Sequence, residues 1–158
     1  MTRNPFRIEF PGSDGQMLSA RLDYNGSREP KAWALFAHCF SCSKDILAAK
    51  RIAEGLADQG IGVLRFDFTG LGHSEGDFSN TNFSTNIQDL IAAANWLRDS
   101  QGSVDLLIGH SLGGAAVISA ARQIEGVKAV ATIGAPSCLL YTSPSPRDAT
   151  LSRMPSSA

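Results

Sequence analysis

Apolar and polar residues alternate over the first two dozen positions. Phe6, Ile8 and Phe10 share one face, and Leu18, Ala20 and Leu22 repeat the alternation after the run Pro11-Gly12-Ser13-Asp14-Gly15. Period two on both sides of a turn predicts an antiparallel hairpin with one buried and one wet face. Asn25-Gly26-Ser27 closes it. From Ala32 the pattern changes. Ala32 to Ala37 is apolar without a break, which predicts a strand buried on both faces. Ile46, Ala49, Ile52, Ala53 and Leu56 then recur at helical spacing, with Ser43 as cap and Gly60 as stop. Val63 to Phe68 predicts the next strand, and a glycine-rich loop runs from Thr69 to Gly76. Phe83, Ile87, Leu90, Ile91, Ala94 and Leu97 mark one face of an amphipathic helix ending near Gly102. Val104 to Ile108 reads as a third buried strand, Ala115 to Ile124 as a helix opening from the turn at Ser111, and Val127 to Ile133 as a fourth buried strand.

Strands alternating with helices predict an α/β fold: a mostly parallel sheet, helices on both faces, and an antiparallel N-terminal hairpin. After Pro136 this periodicity stops. Leu139 to Ala158 contains three prolines and five serines and has no helical or strand period. Such a segment cannot bury enough apolar surface to offset its ordering entropy. It also resembles the translation of a sequencing adapter. The expected organisation is therefore one domain over residues 1–136, which the family resemblance given below implies is truncated, and a disordered or artefactual tail over residues 137–158.

The 158 residues are 43% hydrophobic and 18% charged, as in an ordinary globular domain. A net charge of −1 with scattered basic residues leaves no footprint for nucleic acid or an anionic membrane. The N-terminus carries no signal-peptide pattern, and the longest apolar runs are strand-sized. Three cysteines, an odd number, argue against a disulfide framework and for a reducing cytosol, so the expected location is cytoplasmic.

The strongest chemical signal is Gly109-His110-Ser111-Leu112-Gly113, between a predicted buried strand and a predicted helix. This is G-x-S-x-G in the setting that a nucleophile elbow requires. A sharp strand-to-helix turn strains the serine backbone and exposes its hydroxyl. Side chains at Gly109 and Gly113 would collide with neighbouring backbone, and the helix N-terminus offers N–H groups to a developing oxyanion. Gly70-Leu71-Gly72-His73-Ser74-Glu75-Gly76 reads as a dinucleotide fingerprint, but no helix opens from it at once. Cys39 and Cys42 make a C-x-x-C, read as small buried residues with redox sensitivity as the alternative. A thioredoxin-like site wants a helix N-terminus, which Ser43 to Ile46 could provide. A zinc site needs a second ligand pair, and none is present, so no metal and no cofactor is expected.

Three motifs in order resemble the α/β-hydrolase family, across about residues 6 to 136. Leu35-Phe36-Ala37-His38-Cys39-Phe40 stands at the oxyanion loop, with Cys39 where glycine is usual. Phe66-Asp67-Phe68-Thr69-Gly70-Leu71-Gly72-His73-Ser74 is similar to the D-x-x-G-x-G-x-S loop, and the elbow is the third. His38 to Asp45 more narrowly resembles the hydrolase half of bacterial proteins fused to an OsmC-like domain. The resemblance implies Ser111 as nucleophile and the backbone N–H groups of Phe40 and Leu112 as oxyanion donors. It implies a small ester or amide substrate, a strand order of 1-2-4-3-5-6-7-8, and an OsmC-like domain in the intact parent.

The family's triad runs Ser, then Asp or Glu, then His. His38, His73 and His110 all precede Ser111. His110 is expected to point away from the serine hydroxyl, His38 to orient the oxyanion loop, and His73 to lie on a surface loop. The chain as written is therefore expected to lack triad acid and base and to be inactive. Its last strand is expected to be an unprotected apolar edge, leaving the chain poorly soluble or partly molten. The rival readings are a non-catalytic binding module of the same fold and a nucleotide-binding domain built on the Gly70 loop.

Overall fold

A computed structural model of the chain describes residues 6–136; the expectations for residues 137–158 lie outside the described residues. Two strands, β1 (Phe6–Pro11) and β2 (Met17–Asp23), form the hairpin, with Phe10 facing Leu18 and Ile8 facing Ala20. The turn between them closes through the Gly12 N–H donating to the Gln16 carbonyl at 2.8 Å. Then come β3 (Ala32–Ala37), α1 (Leu47–Asp58), β4 (Ile61–Phe66), α2 (Phe83–Ser100), β5 (Val104–His110), α3 (Leu112–Ala120) and β6 (Ala129–Ile133). Short 3₁₀ turns precede α2 at Phe78–Asn80 and follow α3 at Ala121–Gln123.

The six strands form one sheet in the order β1-β2-β4-β3-β5-β6, with β4, β3, β5 and β6 parallel and β2 antiparallel to β4. Alternation along each strand divides the core. Leu35, Ala37, Leu64, Phe66 and Leu107 face α2 and α3 in the larger cluster, joined by Leu90, Leu97 and Val117. Ala34, Phe36, Val63 and Ile108 face the other way, against Ala49 and Ala53 of α1. Helices cover both faces, as the βαβ alternation requires.

Local chemistry moves several boundaries. Helix α1 begins at Leu47 with Ile46 as its cap residue, and the Ser43 hydroxyl instead accepts from the Asp45 N–H within a turn. Strand β4 ends at Phe66, because Asp67 turns inward to bind loop groups. Helix α3 starts at Leu112 and gives way to a 3₁₀ turn after Ala120, so only part of the Ala115 to Ile124 span is α-helical. The expectation that Val127 to Ile133 is a buried strand is wrong: all five residues of β6 are exposed, including Val130 and Ile133. The reason is position. Strand β6 pairs only with β5 and is the sheet's edge among the described residues.

Candidate active site

Strand β5 runs straight into α3, and the joint is Ser111. Its backbone has φ 55° and ψ −123°, the one positive φ outside glycine among the described residues. For a residue with a Cβ this region costs about 1–3 kcal/mol, and it persists only where the surroundings dictate it. They do. The Ser111 N–H donates to the Ile133 carbonyl at 2.8 Å, and the Gly114 N–H donates to the Ser111 carbonyl at 2.8 Å. A Cβ on Gly109 would press on the Gly113 carbonyl and the Gly114 Cα; one on Gly113 would press on the Ala37 and His38 carbonyls. The elbow therefore packs directly on the end of β3, where Ala37 pairs with Gly109.

The loop carrying Phe40 leaves β3 at that same edge. Phe40 is buried, edge-on to Phe68 at 5.3 Å and to Phe78 at 5.7 Å between ring centres. Leu112 is the first residue of α3, so its N–H has no carbonyl one turn earlier in the helix. Ser111, Phe40 and Leu112 thus stand on adjoining segments at the carboxyl edge of β3 and β5.

A buried polar cluster under the loop was not legible from spacing. Asp67 is fully buried; one oxygen accepts from the Lys44 N–H at 2.6 Å, and the other from Lys44 Nζ at 2.7 Å and the His73 N–H at 3.0 Å. Lys44 is itself buried. Arg65, also buried, donates from Nε to Asp23 at 2.7 Å and reaches the Lys44 carbonyl. Asp45 takes Lys44 Nζ at 3.1 Å and Arg21 Nε at 2.8 Å. Burial pushes the Asp45 carboxyl up, but Lys44 and Arg21 outweigh this and hold it below its ordinary value. Asp89 of α2 fixes the next loop, accepting from the Thr69 N–H at 2.9 Å and the Thr69 hydroxyl at 2.7 Å.

The histidines take three separate places. His38 is buried, its Nδ1 against the Cys39 carbonyl and its Nε2 3.6 Å from Asp67. Burial holds its pKa below the ordinary imidazole value, outweighing the upward pull of the Cys39 carbonyl and Asp67. His73 is largely exposed, its Nδ1 3.3 Å from Lys44 Nζ. His110 turns toward Cys39 and Cys42, and its ring nitrogen and the two sulfurs lie within 4.8 Å of one another.

Cys39 and Cys42 are joined by a disulfide. The reading of this pair as two small buried residues fails because a tight turn, closed by the Cys42 N–H donating to the Cys39 carbonyl at 3.0 Å, brings their Cα atoms to 5.2 Å. The pair does not cap a helix, since α1 starts five residues after Cys42. With the sulfurs bonded to each other, the cluster offers a cation a single imidazole.

The Gly70 to Gly76 loop closes on itself. The Gly70 N–H donates to the Glu75 carbonyl at 2.8 Å and the Leu71 N–H to the Phe68 carbonyl at 3.0 Å. A Cβ on Gly72 would strike the Asp67 carboxylate. With its N–H groups so engaged and a carboxylate at its centre, the loop is a poor phosphate cradle.

Residues 28–156 match the Hydrolase_4 family, described as Serine aminopeptidase, S33. The chain belongs to this α/β-hydrolase family. A crystal structure of the esterase domain of a Rhodothermus marinus protein is 47% identical, with a TM-score of 0.72. The match covers 87% of this chain and 53% of that one. Est1E from Butyrivibrio proteoclasticus, solved with ferulic acid bound, is 26% identical with a TM-score of 0.71, covering 78% of this chain and 50% of that one. An uncharacterized 31.7 kDa protein of Escherichia coli is 29% identical over 122 residues, 75% of this chain and 41% of that protein. The α/β-hydrolase chain thus spans about half the length of the esterase domain and less of the curated relative. Among the described residues, no helix is long and apolar enough to cross a membrane.

Proposed function

We propose that this chain carries the nucleophile half of a serine acyl-hydrolase acting on a small ester or amide. In this reading Ser111 attacks the substrate carbonyl and forms an acyl-serine, while the N–H groups of Phe40 and Leu112 hold the oxyanion. The observation that carries it is the Ser111 backbone at φ 55°, an enforced strain at a strand-to-helix turn whose glycines cannot take a Cβ. The esterase domain of the Rhodothermus protein favours an ester over an amide as substrate.

A protonated serine hydroxyl is a weak nucleophile, and the reaction needs a base. His38 is engaged with the Cys39 carbonyl and Asp67, and His110 lies against the two cysteines, so neither is placed for the role. The base and acid belong, in this reading, to chain that follows β6 in a longer parent. Residues 1–158 alone are then inactive. The engagement of both histidines elsewhere favours a second reading, a binding module that keeps the turn without the chemistry.

The test joins residues 1–136 to the part of the Rhodothermus esterase domain that lies beyond the matched 53%, the match itself being 47% identical. The hybrid is expected to hydrolyse p-nitrophenyl acetate, and Ser111→Ala to lower kcat by about 10⁴-fold or more. A folded hybrid whose turnover ignores Ser111→Ala would overturn the proposal. A folded, ligand-binding but inactive hybrid would favour the binding module.

A further inference from the structure

We infer that Cys39, Cys42 and His110 form a thiol–disulfide exchange site, a second chemistry directly beside the proposed acyl-transfer machinery. Three observations converge. The two cysteines are bonded across a tight turn, so they are already in reach of each other. A ring nitrogen of His110 comes within 4.8 Å of both sulfurs, although His110 ends β5 and the cysteines lie in the loop after β3. Its Nδ1 is buried and has no hydrogen-bond partner.

That last fact gives the site its direction. A disulfide has no S–H to offer an imidazole, so the oxidised state leaves a buried nitrogen unsatisfied. Reduction places an S–H within 4.8 Å of a ring nitrogen of His110. The Ser41 hydroxyl, 3.7 Å from the Cys39 sulfur, adds a second polar contact that would stabilise a thiolate there. Cys39 is buried, whereas Cys42 is only partly covered, which makes Cys42 the sulfur open to attack and Cys39 the leaving group.

The partner is a dithiol reductant. One of its thiolates attacks the Cys42 sulfur, the Cys39–Cys42 bond breaks, and the pair of electrons leaves on Cys39. Cys39 takes up the proton that the attacking thiol released, by way of His110. The reductant's second thiolate then attacks its own sulfur in the mixed disulfide. Cys42 leaves as a thiolate and takes that second proton, and the reductant departs as its own disulfide. Two electrons and two protons pass to the pair.

The full 158-residue chain carrying Cys138→Ser, which removes the third cysteine, is equilibrated against graded reduced and oxidised glutathione with EDTA present. The fraction of Cys39 and Cys42 as thiols is read by alkylation and mass spectrometry. A single two-electron transition is expected. His110→Ala should disfavour reduction by about tenfold in the equilibrium constant, equivalent to about 30 mV, and Ser41→Ala should act in the same direction. His110→Gln, which keeps a hydrogen-bond acceptor, should recover part of the loss. In denaturant all variants should coincide. The inference is overturned if the two cysteines remain thiols across the whole glutathione range, or if parent, His110→Ala and Ser41→Ala titrate together in native buffer. Should His110→Ala fail to fold, His110→Gln and Ser41→Ala decide the matter. Because the readout is thiol state, loss of ester hydrolysis has no bearing on it.

Discussion

Asp67 is the residue on which the loops beneath the elbow depend. It is buried and pairs with Lys44, a buried cation whose Nζ also reaches Asp45. Removing Asp67 leaves Lys44 with Asp45 alone and strips the Lys44 and His73 N–H groups of their acceptor, a cost of about 3 kcal/mol for a buried pair of this kind. Asp67→Ala in the hybrid should therefore lower unfolding free energy in urea by about that amount; a loss below about 1 kcal/mol would contradict the pairing. His38 makes a different claim. Its pKa is depressed by burial, so below the ordinary value of 6.5 the unfolded chain binds a proton that the native chain refuses. Stability should fall as pH drops below about 6.5. His38→Asn, whose amide can still donate to the Cys39 carbonyl, should flatten that limb between about pH 6.5 and 5; an unchanged slope would count against a neutral buried His38. The Asp45 carboxyl, held low, adds stability present above its unfolded value of 3.8 and lost as pH falls through its lower folded value. Ser111 was legible because glycine spacing reports backbone crowding directly. The convergence of His110 on Cys39 and Cys42 was not, because it depends on β5 lying beside β3, a register no local pattern encodes.

Among the elements, strands were read better than helix ends. Ala32 to Ala37 is β3 to the residue, since an unbroken apolar run has one stable place in a covered sheet. Helix α1 starts four residues after Ser43, because that hydroxyl satisfies a turn N–H and leaves Ile46 to open the helix without a side-chain cap. Two glycines make opposite predictions. Gly55 lies inside α1 with nothing within 4 Å of the position a Cβ would take, so Gly55→Ala should stabilise the hybrid by about 0.5–1 kcal/mol. Gly113→Ala must push the Ala37 and His38 carbonyls away, and should destabilise by about 1–3 kcal/mol. Urea midpoints that move the same way for both would refute the role of crowding at the elbow. Strand β6 supplies a further test. Its Val130 is 40% exposed and its outer edge is unpaired among the described residues, the arrangement that invites strand addition. The 158-residue chain should self-associate with rising concentration, and Val130→Lys should reduce it; a parent that sediments as a monomer throughout would contradict this.

At the scale of the whole chain, the described residues hold an enforced elbow, and His38 and His110 are engaged away from the Ser111 hydroxyl. The six strands, three α-helices and enforced Ser111 turn of the described residues belong to an α/β-hydrolase, and the chain covers 53% of an esterase domain 47% identical to it. Fold class was legible from the alternation of strand and helix. Coverage of the far edge was not, because burial of β6 depends on what packs beside it and not on its own apolar run. The most direct test of an acyl-transfer role for Ser111 is a trapped intermediate. The hybrid is mixed with p-nitrophenyl acetate, quenched in acid within the first turnover, digested, and weighed by peptide mass spectrometry. An acetyl group on the peptide at Ser111, absent from Ser111→Ala, is the predicted result. Turnover with that peptide unmodified, or with the acetyl group on another residue, would contradict it.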